Sequence, residues 1–345
     1  MPSDIPALNE VRRITQKKRD AWWTVLLVDP VATPLVRQVA LRTRITPNQI
    51  TWGALLLGLA AAACFAMGDW RWLIAGALVY HLSFVLDCMD GKVARLTGQG
   101  SVFGAWLDYI FDRIRVIACA IALMAGQYER TGDLLYVWLA VAVVCLDGLR
   151  YINSLEIFKT RHTMRKQIKA RIRQARRSED EAGVAFMEDL LRHNPEADVE
   201  QDLASVRSQD IGPAAESVTA HPAHLAPSEH HSAHHPAHHL GLPEQPKAQV
   251  IDLQQEFRHR FPAYLRLRSF LLRHRIRTHL ISGIEFQMGV FIIGPLCDAV
   301  IPATIISGAL LLVFELAIIY KLLLSTRDFS RTLASFEEDE VRTAA

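Results

Sequence analysis

Between residues 87 and 112 the sequence reads Asp87-Cys88-Met89-Asp90-Gly91-Lys92-Val93-Ala94-Arg95, then, after a spacer, Gly104, Asp108 and Asp112. Four carboxylates recur at spacings of three and four between two apolar runs that read as membrane-spanning helices, residues 70–86 and 105–125. An ionised Asp at the centre of such a helix costs about 3 kcal/mol, so four of them would cost on the order of 10 kcal/mol. Near one membrane face the cost falls, but the carboxylates still repel one another. Bound divalent cations would reverse that repulsion. Mg²⁺ and Mn²⁺ take oxygen ligands and share them with the phosphates of substrates.

The elements that must position these groups follow from the spacing. Residues three and four apart share a helix face, so Asp87, Asp90, Gly91 and Ala94 form one stripe and Gly104, Asp108 and Asp112 another. Gly91, Ala94 and Gly104 leave room for a ligand or a facing backbone to approach. Thr97-Gly98-Gln99-Gly100 supplies a turn that folds the second helix back on the first. The carboxylates then converge.

The string Asp-x2-Asp-Gly-x2-Ala-Arg-x8-Gly-x3-Asp-x3-Asp resembles the signature of the CDP-alcohol phosphotransferases (CDP-alcohol phosphatidyltransferases) at every fixed position. A weaker likeness lies upstream, where Ile45-Thr46-Pro47-Asn48-Gln49-Ile50-Thr51 opens the first apolar helix. The resemblance implies a reaction: a phosphatidyl or related phosphoryl-alcohol group moves from a CDP-linked donor, CDP-diacylglycerol above all, to the hydroxyl of an acceptor alcohol, releasing CMP. It implies Mg²⁺ or Mn²⁺, two ions, held by Asp87, Asp90, Asp108 and Asp112. Asp112 is also the implied general base, and Gly91, Ala94, Arg95 and Gly104 are the implied contacts to the CDP donor. A homodimer is implied as well. Cations at the diphosphate would neutralise charge on the leaving CMP and activate phosphorus towards an in-line hydroxyl.

Other readings of the array are a divalent-metal transporter or metal-sensing membrane protein, and an inactive scaffold. A transporter has no need of Gly91-x2-Ala94-Arg95 and would spread its acids over several spans. A scaffold would have lost some of them. Ion pairing of Arg95, Arg113 or Arg115 with the carboxylates can coexist with catalysis.

The chain has 345 residues, half of them apolar, a net charge of +2 and a mean hydropathy of +0.14. Its apolar residues are gathered into runs near the roughly 20 residues that cross a bilayer. Six spans are expected, centred on residues 50–67, 70–86, 105–125, 134–149, 280–296 and 301–324. The expected fold class is all-α, an integral membrane bundle of six transmembrane helices. Residues 21–28 and 34–41 are each too short to span, and with Trp22 and Trp23 beside basic neighbours they predict an N-terminal interfacial amphipathic helix. Basic residues cluster before the first span, while the loops after spans one, three and five are nearly free of them. The positive-inside rule then puts both termini and the Asp array in the cytoplasm, with the bacterial plasma membrane as the expected location. The first residues lead no apolar core, which argues against a cleaved signal peptide.

The expected division is a cytoplasmic N-terminus with the juxtamembrane helix (1–46), helices one to four with the motif (47–158), a cytoplasmic insertion (159–276), helices five and six (277–326) and a cytoplasmic tail (327–345). The insertion is basic at both ends. Its Pro/Ala/His-rich middle, residues 212–247 with eight histidines between His221 and His239, is expected to be a disordered linker rather than a metal sensor. Its last part, 253–272, mixes arginines with Phe and Leu and leads into a span, which suits anionic lipid and not nucleic acid. The five cysteines stand singly and read as buried apolar residues. Asp147 and Arg150, three apart on one face, are expected to pair structurally. Glu285 and Glu315 either line the cavity or pair with a neighbouring helix. Should the acceptor carry a phosphate, Arg150, Arg161 and Arg277 are the basic candidates by location.

Overall fold

The computed structural model of the protein describes residues 6–177 and 262–344. Among the described residues the chain is helical, and the only strand-like pairing is an isolated bridge between Asp20 and Ile276. The helices are α1 (Leu8–Thr15), α2 (Thr24–Arg42), α3 (Pro47–Ala66), α4 (Trp70–Thr97), α5 (Val102–Thr131), α6 (Leu135–Arg177), α7 (Pro262–Arg273), α8 (Gly283–Leu296) and α9 (Val300–Ala344). The His-rich tract, the acidic stretch after Glu179 and residues 253–261 lie outside the described residues.

Local chemistry sets the ends of the helices that carry the array. At the start of α3, Thr46 and Gln49 form a reciprocal capping box with Pro47 in the first turn, where the missing proline N–H costs nothing. Asp69 caps α4 by accepting from the Arg71 amide. The predicted turn ends α4 at Gly98, whose φ of 67° favours glycine, and Ser101 opens α5 by accepting from Gly104 N at 3.0 Å.

Helix α3 packs against both α4 and α5. A Cβ on Gly58 of α3 would stand 2.5 Å from Arg115 Cγ, so this glycine makes the room that lets an arginine of α5 lie inside the bundle. Below it the core closes with Phe65, Leu73, Tyr80, Leu123, Phe286 and Phe291.

Among the described residues five helices are long and apolar enough to cross a membrane: Thr24–Arg42, Pro47–Ala66, Trp70–Thr97, Leu135–Gln167 and Val300–Arg327. The molecule is thus an all-α membrane bundle, but this set differs from the six spans expected. Helix α5 has 30 residues, ample length, yet Asp108, Asp112, Arg113 and Arg115 break its apolar run. Helix α8 reaches only about 21 Å, short of the roughly 30 Å hydrocarbon core. Conversely, the two N-terminal fragments read as separate are one continuous helix. A π-turn over Thr24–Val28, closed by the Asp29 amide on Thr24 O, carries the chain into Pro30 and Pro34 without a break. Trp23 packs edge-on against His81 and Asp29 pairs with Lys92 further along α4, so α2 lies obliquely over the second half of α4.

Several boundaries run through helices. The α6 helix continues from its apolar part past residue 158 to Arg177, and α9 continues from its span to Ala344. The glutamates that stood out within spans five and six serve architecture. Glu285 accepts from Ser282 N at 2.9 Å and Trp22 N at 3.1 Å, and Glu315 accepts from Asn153 Nδ2 at 2.7 Å. All five cysteines are free thiols.

Candidate active site

The second half of α4 and the first half of α5 face each other across a cavity of about 240 Å³. All eight residues singled out by the sequence line it: Asp87, Asp90, Gly91, Ala94, Arg95, Gly104, Asp108 and Asp112. Helix α3 adds Asn48 and Thr51, α6 adds Arg150, α8 adds Gln287, and the stretch before α2 adds Lys17, Asp20 and Thr24. Gly104 has little spare room, since a Cβ there would stand 2.6 Å from Asn48 Oδ1. Gly91 instead faces open space apart from Arg95.

The four carboxylates have unequal surroundings. Asp87 pairs with Arg115 at 3.1 Å. Asp112 pairs with both Arg115 and Arg113. Asp90 accepts from Thr51 Oγ1 at 2.6 Å and from its neighbour's amide, Gly91 N. Asp108 has no hydrogen bond or ion pair among the described residues. The central cation is Arg115, 1% exposed, which also donates to Ser83 Oγ and lies over the Tyr80 ring. One buried guanidinium thus compensates two of the four acids.

Among the described residues no three His, Cys, Asp or Glu side chains form a finished metal cage. The donor chemistry nevertheless fits a hard cation. Four carboxylates share one cavity, Asp108 is uncompensated, and the remaining ligands of Mg²⁺ or Mn²⁺ ordinarily come from phosphate and water. Asp87 and Asp112 would have to share such cations with Arg115.

Two pairings differ from those the spacing suggested. Asp147 and Arg150 do not pair with each other: Asp147 pairs with Arg113 and accepts from Gln287 Nε2 at 3.1 Å. Arg150 makes no ion pair among the described residues, and its Nε is buried without a hydrogen-bond partner. Arg95 turns to the N-terminus, donating to Thr15 O at 2.9 Å, while keeping a place in the cavity lining. Arg161 and Arg277 lie outside that lining, and Arg277 is 3.7 Å from Asp20.

The sequence did not single out Thr51, Asn48, Gln287 or the N-terminal wall of Lys17, Asp20 and Thr24. Only the capping string 45–51 offered a signal for the first two. The N-terminal wall is fastened by contacts distant in sequence. Arg277 N donates to Asp20 O and Asp20 N donates to Arg275 O, the Arg275 side chain donates to Lys17 O at 2.7 Å, and buried Asp29 receives both Lys92 and Arg275.

Fold and site together define a class: a helical membrane protein whose acidic cavity is built on one helix hairpin. The CDP-alcohol phosphatidyltransferase family model matches residues 44–175, and this region is a domain of that family. A phosphatidylinositol phosphate synthase of Mycobacterium tuberculosis is 39% identical over 131 residues, 36% of this chain and 56% of that protein. One from Cutibacterium acnes is 35% identical over 96 residues, 28% of this chain and 42% of its own length. An archaetidylinositol phosphate synthase of Methanothermobacter thermautotrophicus is 32% identical over 99 residues, 29% of this chain and 49% of its own. The chain spans about half the length of the curated relatives it matches.

Proposed function

We propose that the protein is a divalent-metal-dependent CDP-alcohol phosphatidyltransferase of phospholipid synthesis. Its donor is CDP-diacylglycerol and its acceptor a phosphorylated polyol, inositol phosphate being the first choice. The observation that carries the reading is the convergence of all eight signature residues on one cavity. The acceptor class is supported by Arg150, a cavity-lining arginine whose Nε has no partner and whose guanidinium suits a phosphate. The names of the relatives point the same way.

In this reading Asp87, Asp90, Asp108 and Asp112 hold Mg²⁺ or Mn²⁺, which supplies positive charge to the diphosphate and lowers the cost of CMP departure. Gly91 and Ala94 leave space for the nucleotide, Gly104 lets Asn48 approach beside it, and Arg95 borders it. Asp112 takes the proton of the acceptor hydroxyl as its oxygen bonds to the phosphatidyl phosphorus and the bond to CMP breaks. Arg150 orients the acceptor through its phosphate. The basic N-terminal segment supports, through the positive-inside rule, a cavity that opens to the cytoplasm from a bacterial plasma membrane, where water-soluble acceptors would enter.

The test is purified protein with CDP-diacylglycerol, a panel of alcohols and their phosphates, and Mg²⁺ or Mn²⁺, reading CMP release and the mass of the lipid formed. Turnover that requires a phosphorylated acceptor supports the whole reading. Turnover with unphosphorylated alcohols alone would remove the acceptor class, and no CMP with any pair would remove the activity. Metal flux without CMP release would favour a transporter.

A further inference from the structure

We propose that Asp147 is a positioning residue that acts on Asp112 through Arg113. This rests on the phosphatidyl-transfer reading above. Asp147 sits on α6, is 4% exposed and does not line the cavity, so it touches no substrate. Both of its oxygens are engaged: Oδ2 takes Arg113 Nη1, and Oδ1 accepts from Gln287 Nε2 at 3.1 Å. The other arm of the Arg113 fork, Nη2, goes to Asp112 Oδ2. The guanidinium also lies over the Tyr151 ring, 5.4 Å from its centroid. Side chains of α6 and α8 therefore fix where an arginine of α5 meets the proposed base.

Charge sharing gives this arrangement its consequence. Asp112 faces two guanidinium groups, Arg113 and Arg115. Were both guanidinium groups free to turn fully onto Asp112, they would occupy its oxygens and draw the side chain away from its place in the cavity lining. Each arginine is divided instead with a second carboxylate: Asp87 shares Arg115 and Asp147 shares Arg113. Asp87 lines the cavity and belongs to the signature, whereas Asp147 lies behind it. Remove the Asp147 charge and Arg113 has only Asp112 left to pair with.

The test is steady-state CMP release by the purified full chain with CDP-diacylglycerol, inositol phosphate and Mg²⁺. Asp147→Asn should lower kcat by about tenfold or more and leave KM for both substrates within about twofold. In an Arg113→Gln background the same substitution should change kcat by less than about twofold, since the intermediary is gone. Asp147→Glu should recover part of the loss. Should Asp147→Asn fail to accumulate folded, Gln287→Met, which removes the amide holding Asp147, should lower kcat more mildly and again only while Arg113 is present. Effects of Asp147→Asn and Arg113→Gln that multiply, a rise in KM in place of the fall in kcat, or an unchanged kcat would overturn the proposal. Wild-type protein that releases no CMP with any donor and acceptor of the panel above overturns the functional reading and this proposal with it.

Discussion

Arg115 is the residue whose replacement says most about how the cavity is held together. It is 1% exposed, faces Asp87 at 3.1 Å and also Asp112, and its stem fills the space left by Gly58. Arg115→Met keeps much of that stem and deletes the charge, leaving the part-buried Asp87 without its ion-pair partner and Asp112 with Arg113 alone. Breaking a fully buried pair costs about 3–5 kcal/mol, and with both carboxylates part-exposed the loss here falls at the lower end, about 3 kcal/mol. For a protein of this size that lowers the melting temperature by on the order of 10 °C. If the same carboxylates bind divalent cations, Mg²⁺ replaces the missing charge, and the variant should gain more from Mg²⁺ than the wild type does. The assay is thermal unfolding in detergent followed by tryptophan fluorescence, in EDTA and across a Mg²⁺ series. A variant that melts with the wild type in EDTA refutes the energetic argument. One that melts equally low in EDTA and in saturating Mg²⁺ refutes the assignment of the array to cations.

Asp112→Asn should cut turnover by on the order of 10³-fold, the upper range for losing a general base, while the protein melts within a few degrees of wild type; activity near normal would dismiss Asp112 as base. A Cβ at Gly283 would stand 2.2 Å from Arg150 Cζ, so Gly283→Ala should displace that guanidinium and raise KM for a phosphorylated acceptor about tenfold. Donor KM should not move, and equal effects on both substrates would contradict the assignment of Arg150. Asp29→Asn strands Lys92, 4% exposed, and should destabilise the protein by about 3 kcal/mol, read by the same melting assay. An unchanged melting curve would show that this buried pair contributes nothing.

Spacing along the chain made the acidic hairpin legible, because α4 and α5 are regular and their turn is short. Residues three and four apart on such helices share a face wherever the bundle puts them. Partners were less legible. Asp147 and Arg150 share a face yet serve different neighbours, since Arg113 and Gln287 arrive from α5 and α8 and sequence distance carries no sign of that. The set of apolar helices differs from the six expected spans for a related reason. Four charges interrupt the apolar run of α5, and the two short N-terminal fragments join through a π-turn over Thr24–Val28. Nothing local told that Asp20 would meet Arg275 and Ile276.

That meeting bears on how the molecule is made. The matched region ends at residue 175, yet the cavity is unfinished at that point in synthesis. Gln287 has still to arrive, and the Trp22 amide waits for a carboxylate 263 residues downstream. Closing loops of that length is slow compared with winding a helix. The stretch between α1 and α2 would therefore leave the ribosome long before Arg275 and Glu285 emerge, and a fragment cut after the matched region would carry every signature residue and still lack a wall.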